Sequence, residues 1–189
     1  MRGRSMRRAL PLGAIAVVLA ALLGCGADED GAVDKEADAR VLNQILARQI
    51  AAVEAYDQAL PALRGAQLAA AREFRAQEQE HVDATTKTLR GLDVEADPPA
   101  ESIEADDLRT SREALHFLYE LESATIDAEL NAVAKLTVGW PRPLIASMAA
   151  NQAQRLVLIR GALGAKPLDA VPEAFETGET PAPMEMIEQ

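Results

Sequence analysis

The chain has 189 residues, with 30 Asp and Glu against 19 Lys and Arg and a net charge of −11. So acidic a surface argues against nucleic acid and against electrostatic binding to anionic headgroups, because both are themselves negative. One cysteine rules out an intrachain disulfide, so the fold rests on its own packing, and an aromatic content of 3% offers no stacking platform for nucleotides.

Residues 1–8, MRGRSMRR, are basic, and residues 9–23 are small and aliphatic, ending at Leu22-Leu23-Gly24-Cys25. This pattern resembles a bacterial lipoprotein signal peptide, and it is too short and too N-terminal for a first choice of spanning helix. The resemblance implies a signal peptide over residues 1–24 and lipidation, of the palmitate type, at Cys25. The mature protein would then be anchored to the cell membrane on its extracytoplasmic side. An ordinary secretory or uncleaved anchor segment is the alternative. Loss of Arg2, Arg4, Arg7 and Arg8 takes the basic count from 19 to 15 against 30 acids, a net charge of −15, so the lipid has to do the anchoring. Residues 25–36 are small and acidic and read as a flexible tether.

Four segments follow with apolar positions at helical spacing, and none shows the alternation of a half-buried strand. The first helix is expected over residues 37–60, with the stripe Leu42, Ile45, Gln49, Val53, Tyr56 and Leu60, and Pro61 stops it. A second, over residues 66–92, carries Ala71, Phe74, Glu78, His81, Thr85 and Leu89 on one face. Residues 93–107 are acidic, broken by Pro98-Pro99, and too long for a tight helical hairpin; they suit a crossover along a bundle.

The third helix starts at Thr110, where Thr110-Ser111-Arg112-Glu113 offers a capping box, or a turn or two earlier, and its stripe is Leu115, Leu118, Glu122, Ile126, Glu129, Val133 and Leu136. Gly139, Pro141 and Pro143 break the chain, and Trp140 between them is expected to cover one end of the core. The fourth helix runs to about Leu163 with Ile145, Met148, Gln152, Arg155, Ile159 and Leu163 inward, and Gly164 and Pro167 close it. His116 lies off the third stripe and is expected at the surface. Residues 165–189 hold Pro167, Pro172, Pro181 and Pro183 among acids and read as a largely unfolded tail.

Two short hairpins around one long connection give an all-α four-helix bundle with its crossover between the second and third helices. Glu78-x-x-His81 and Gln152-x-x-Arg155 stand at matching places on the second and fourth helices, and only the first pair has metal-binding chemistry. Gln49 precedes Tyr56 by seven residues, as Glu122 precedes Glu129. The arrangement resembles the ferritin-like superfamily over residues 37–164. That family's pattern implies Glu on the first helix, Glu-x-x-His on the second, Glu on the third and Glu-x-x-His on the fourth, around a di-iron or di-manganese centre. Here the matching positions are Gln49, Glu78 and His81, Glu122, then Gln152 and Arg155. Glu54, five residues after Gln49, lies about 140° further round the helix.

One reading of Glu78, His81 and Glu122 is a surviving site for a single Fe, Mn or Zn ion. The other is a degenerate site with no cofactor, a polar layer in which Arg155 pairs with Glu122 or Glu78 and the glutamines complete the hydrogen bonds. Three functions follow: a lipid-anchored binding or structural module, a metalloprotein keeping one ion, or a cell-envelope interaction protein. Self-association into a homo-oligomer is compatible with each, and the sequence names no protein partner. Ser111, Ser123 and Ser147 have no nucleophile elbow or triad around them and there is no Gly-rich phosphate loop, so catalysis is not expected.

Overall fold

A computed structural model describes residues 33–171 except residue 106. The signal segment, Cys25, most of the tether and residues 172–189 of the tail lie outside the described residues.

Helix α1 spans Lys35–Ala59, two residues earlier than the apolar stripe suggests, because the Asp34 side chain accepts a hydrogen bond from Ala37 N at 2.8 Å and caps it. Pro61 sits in a single 3₁₀ turn, Leu60–Ala62, which ends that helical run. Helix α2 spans Gly65–Gly91 and opens on Gly65 at φ +55°, a conformation glycine adopts without a Cβ penalty. Helix α3, Ser111–Lys135, has the expected capping box: Thr110 accepts from Glu113 N, and the Glu113 carboxylate accepts from Thr110 N. Helix α4, Arg142–Leu163, closes on Gly164 at φ +106°. Residues 166–171 then form a turn, with Ala170 buried.

The connections fix the topology. At one end of the bundle Ser111 Oγ donates to Ala62 O (2.8 Å), and at the other Asp38 on α1 meets Thr137 and Val138 beyond α3. So α3 runs antiparallel to α1. The crossover must travel the bundle's length, and three points pin it to α1. Asp97 N donates to Asn43 (2.9 Å), Arg48 meets Glu101 (3.1 Å), and Gln58 bonds Ile103 O and Ala105 N (both 3.0 Å). From Asn43 to Gln58 the helix rises about 22 Å, and an extended chain from Asp97 to Glu104 spans about 23 Å. The two lengths match, so the crossover lies along α1 as an extended strap.

Two apolar clusters fill the bundle. Tyr56, Phe74, Leu115, Leu118, Leu156 and Ile159 belong to one, and Leu42, Leu46, Leu89, Leu136, Ile145 and Met148 to the other. Between them each helix turns a buried polar residue inward, Gln49, Glu78, Glu129 and Gln152, so a layer of hydrogen-bonding groups lies between two hydrophobic cores. Trp140 does not cover the core. It is 52% exposed, and its ring lies over Gly91, where an added Cβ would sit 3.0 Å from Cη2. His116 is half-buried rather than at the surface. Among the described residues no helix is long and apolar enough to cross a membrane.

Asp38 is the clamp at the α1 end: fully buried, it accepts from Thr137 N (2.7 Å), Val138 N (2.7 Å) and Thr137 Oγ1 (3.2 Å). Two backbone N–H groups depend on one carboxylate. Asp38→Ala is expected to cost about 3 kcal/mol in urea unfolding, because both donors are left without their acceptor. Asp38→Asn, which keeps one acceptor oxygen, is expected to cost less. Equal effects of the two substitutions would show that the one acceptor oxygen an asparagine keeps contributes nothing by itself.

Candidate functional site

The helical repeat turns Gln49 and Tyr56 of α1, Glu78 of α2, Glu122 and Glu129 of α3, and Gln152 and Arg155 of α4 into the bundle, where each is no more than 2% exposed. They form one continuous hydrogen-bonded chain. Gln49 Nε2 donates to Glu129 Oε1 (3.4 Å), and Gln152 Nε2 donates to that same oxygen (3.4 Å) and to Glu78 Oε1 (3.3 Å). Arg155 Nη1 donates to Glu78 Oε1 and to Glu122 Oε1 (3.1 Å), and Tyr56 Oη donates to Glu122 Oε1. The path visits α1, α3, α4, α2, α4, α3 and α1. Glu78 stands at its middle, with Gln152 and Arg155, Glu129 and Glu122, and Gln49 and Tyr56 as exchanging pairs on either side.

Arg155 is held on every side. Its Nε donates to Gln77 Oε1 (3.2 Å), its Nη2 to Asn151 Oδ1 (2.7 Å), and Cζ lies 5.6 Å from the centre of the Phe74 ring. Tyr56 packs edge-on to that ring at 6.5 Å. His81 sits at the margin, 13% exposed, with Nδ1 3.6 Å from Glu78 Oε1.

Of the positions singled out by sequence, Gln49, Glu78, Glu122, Gln152 and Arg155 converge, His81 borders them, and Glu54 is exposed. Arg155 pairs with both carboxylates rather than with one. Glu129 enters the layer as the common acceptor of Gln49 and Gln152, a role the sequence reading did not assign. Its signal was the seven-residue echo. With α1 and α3 antiparallel, seven residues forward on α1 match seven back on α3, so Gln49 meets Glu129 where Tyr56 meets Glu122.

The charges are unequal. Burial opposes ionisation of Glu78, but the His81 contact and the Arg155 charge together hold its pKa below the ordinary value. Burial raises Glu122 to about 7 against the pull of Arg155, with the Glu78 charge adding to the rise. Glu129, buried and facing the Glu78 charge with only glutamine donors, is raised to about 9 and stays protonated at neutral pH. Burial lowers the Arg155 pKa, but Glu122 and Glu78 overcome it, and the net direction is up.

A group whose folded pKa exceeds its unfolded value binds its proton more tightly when folded, so its contribution to stability is complete below the unfolded pKa and is lost as pH rises. For Glu129 that window runs from 4.5 to about 9. Glu122 acts in the same sense only up to about 7. Between pH 7 and 9, stability is therefore expected to fall by up to about 1.4 kcal/mol per pH unit. Glu129→Gln, a permanently neutral isostere, should flatten that slope. Denaturant melts at pH 7, 8 and 9 check it, and an unchanged slope in the variant would assign the loss to another group.

The ferritin-like pattern implies two metal ions here, and the residues present do not fit them. A guanidinium, which cannot be deprotonated in a protein, contacts both Glu78 and Glu122. The first- and fourth-helix positions are the neutral amides of Gln49 and Gln152. The same contacts oppose a single ion on Glu78, His81 and Glu122, and among the described residues no group of three or more His, Cys, Asp or Glu is placed to hold a metal. What the arrangement does chemically is place an internal cation against Oε1 of both Glu78 and Glu122, while their Oε2 atoms are buried without a hydrogen-bond partner.

Comparison with curated proteins and with solved structures gives no match. The family model of the ferritin-like domain matches residues 37–165, which takes in nearly all of α1 and the whole of the other three helices. By that match and by the antiparallel pairs joined through a long crossover, the chain belongs to the ferritin-like domain family.

Proposed function

We propose that this protein is a lipid-anchored, extracytoplasmic ferritin-like domain with a degenerate metal site and no resident metal, serving as a binding or structural module at the cell envelope. One observation carries the reading: the Arg155 guanidinium bonds both Glu78 and Glu122, in the place where the family pattern calls for a cation. That one charge offsets Glu78 and, in part, Glu122, which burial raises to about 7. The anchor rests on the basic and apolar leader before Leu22-Leu23-Gly24-Cys25, which lies outside the described residues.

Elemental analysis after expression with iron, manganese and zinc available tests the site. The expected content is none; one tightly held equivalent would make the protein a metalloprotein of the same fold. Arg155→Ala should destabilise the bundle by about 3 to 5 kcal/mol, the usual cost of breaking a buried pair and leaving a charge uncompensated. Added divalent metal should recover part of that loss, because a ligand that binds only the folded state stabilises it. The triple change Gln49→Glu, Gln152→Glu and Arg155→His should gain more metal affinity, since it restores the family's ligand set and removes the competing cation. Thermal melts with and without metal report both effects, and no gain in either variant would mean that a cation was never the missing part.

The anchor is tested separately. The intact protein is expected to partition with membranes and to carry acyl mass on Cys25, and Cys25→Ala should block lipidation. A free thiol at Cys25 in soluble, unmutated protein would remove this part of the reading without touching the first.

A further inference from the structure

Charge is distributed unevenly over this chain. Although it has 30 acidic residues, none lies between Glu129 and Asp169. The exposed positions of α4 from Pro143 to Ala162 are Pro143, Ala146, Ser147, Ala150, Gln154, Leu158, Gly161 and Ala162, all uncharged. The other three helices expose charge throughout: Arg40, Glu54 and Asp57 on α1, Glu73, Glu80 and Lys87 on α2, Arg112 and Glu120 on α3. Arg160, within this stretch, is 2% exposed, and Arg142, exposed at the first position of α4, directs its guanidinium back to the carbonyl of Leu136. Leu158, 59% exposed, stands out from this face.

We propose that the outward face of α4 is the docking surface for a second copy of this chain, joined about a two-fold axis. The charge selects both the face and the partner. Two molecules of net charge −11 repel wherever acidic surfaces approach, and among the described helices α4 alone lets them meet without that penalty. Shape agrees. With the two α4 helices antiparallel and crossing between Ala150 and Gln154, Leu158 of each copy lies opposite the small residues Ala146, Ser147 and Ala150 of the other. A two-fold axis makes each such contact twice. A single helix pair is smaller than a standard interface, so the dimer should dissociate on dilution.

Sedimentation velocity of the full chain in density-matched detergent, over a range of protein concentrations, tests the proposal. The expected result is a monomer–dimer equilibrium that Leu158→Glu and Ala150→Glu each weaken at least tenfold, with unchanged circular dichroism and melting temperature. Both positions are exposed in one chain, so the folded monomer should tolerate either change. Glu80→Lys, on the exposed face of α2, should leave the equilibrium nearly unchanged. Association should strengthen as salt rises, because screening removes repulsion between the acidic remainders while the contact itself holds no charge. A monomer at every concentration, a dimer indifferent to both α4 variants, or association that weakens with salt would each overturn the proposal. So would variants that leave the mass unchanged but abolish binding to phosphatidylglycerol vesicles, which would make the face a lipid contact instead.

Discussion

The interior of this bundle is organised by one requirement: two carboxylates, Glu78 and Glu122, are buried on helices that stand diagonally across the bundle, and they need a cation. Arg155 supplies it. Buried ion pairs add little net stability, because the desolvation of each charge offsets their attraction, but an unpaired member is strongly destabilising. The ion triad therefore acts less as a source of stability than as a condition on how the helices meet. Each of α2, α3 and α4 contributes one member, and Tyr56 ties in α1 through Glu122. A helix rotated or shifted by one turn would strand a charge in the core. Apolar packing alone tolerates such shifts far better, since hydrophobic contacts are not directional.

The rest of the layer follows from that cation's limited reach. One positive charge serves Glu78 and, in part, Glu122, which burial leaves near neutrality at about 7. At Glu129 burial and the Glu78 charge outweigh the pull of Arg155, and the carboxyl is neutral with the amides of Gln49 and Gln152 as its hydrogen-bond partners. A third ionised carboxylate would have no counter-charge. The amides suit this balance, as they donate to whichever oxygen is near without adding charge. The layer thus resolves into a charged half around Arg155, Glu122 and Tyr56 and a neutral half around Gln49, Glu129 and Gln152, meeting at Glu78.

What was legible in the sequence divides by range. The Thr110 cap, the Gly164 closure and the inward stripes are local: a few residues and a period of 3.6 determine them, and they stand as expected. Arg155 was legible as a counter-ion because it is the one cation in the inward stripes. The part of Glu129 was not, because it depends on the register of α1 against α3, set by packing over a separation of 80 residues. Asp38 was hidden for a related reason. Its partners are backbone N–H groups about a hundred residues away, and no side chain announces them. Trp140 settles over α2 rather than the core because Gly91 leaves room for its ring, a fit between residues distant in the chain.

The family match and the altered donor set agree once the cation is treated as the invariant requirement and the metal as one way of meeting it. A four-helix layer with inward carboxylates needs positive charge at its centre, and a guanidinium on the fourth helix delivers it from within the chain, independent of metal supply. That solution restricts α4 itself. An acidic residue within a turn of Arg155 would compete with Glu78 and Glu122 for the guanidinium, and at the i−4 position the chain instead has the neutral Asn151, which accepts from Nη2 without drawing off charge. Gln77 does the same for Nε from α2. An α4 without acids therefore serves the core, which keeps its one cation undivided. The same composition leaves the outer side of the helix uncharged on an otherwise acidic molecule.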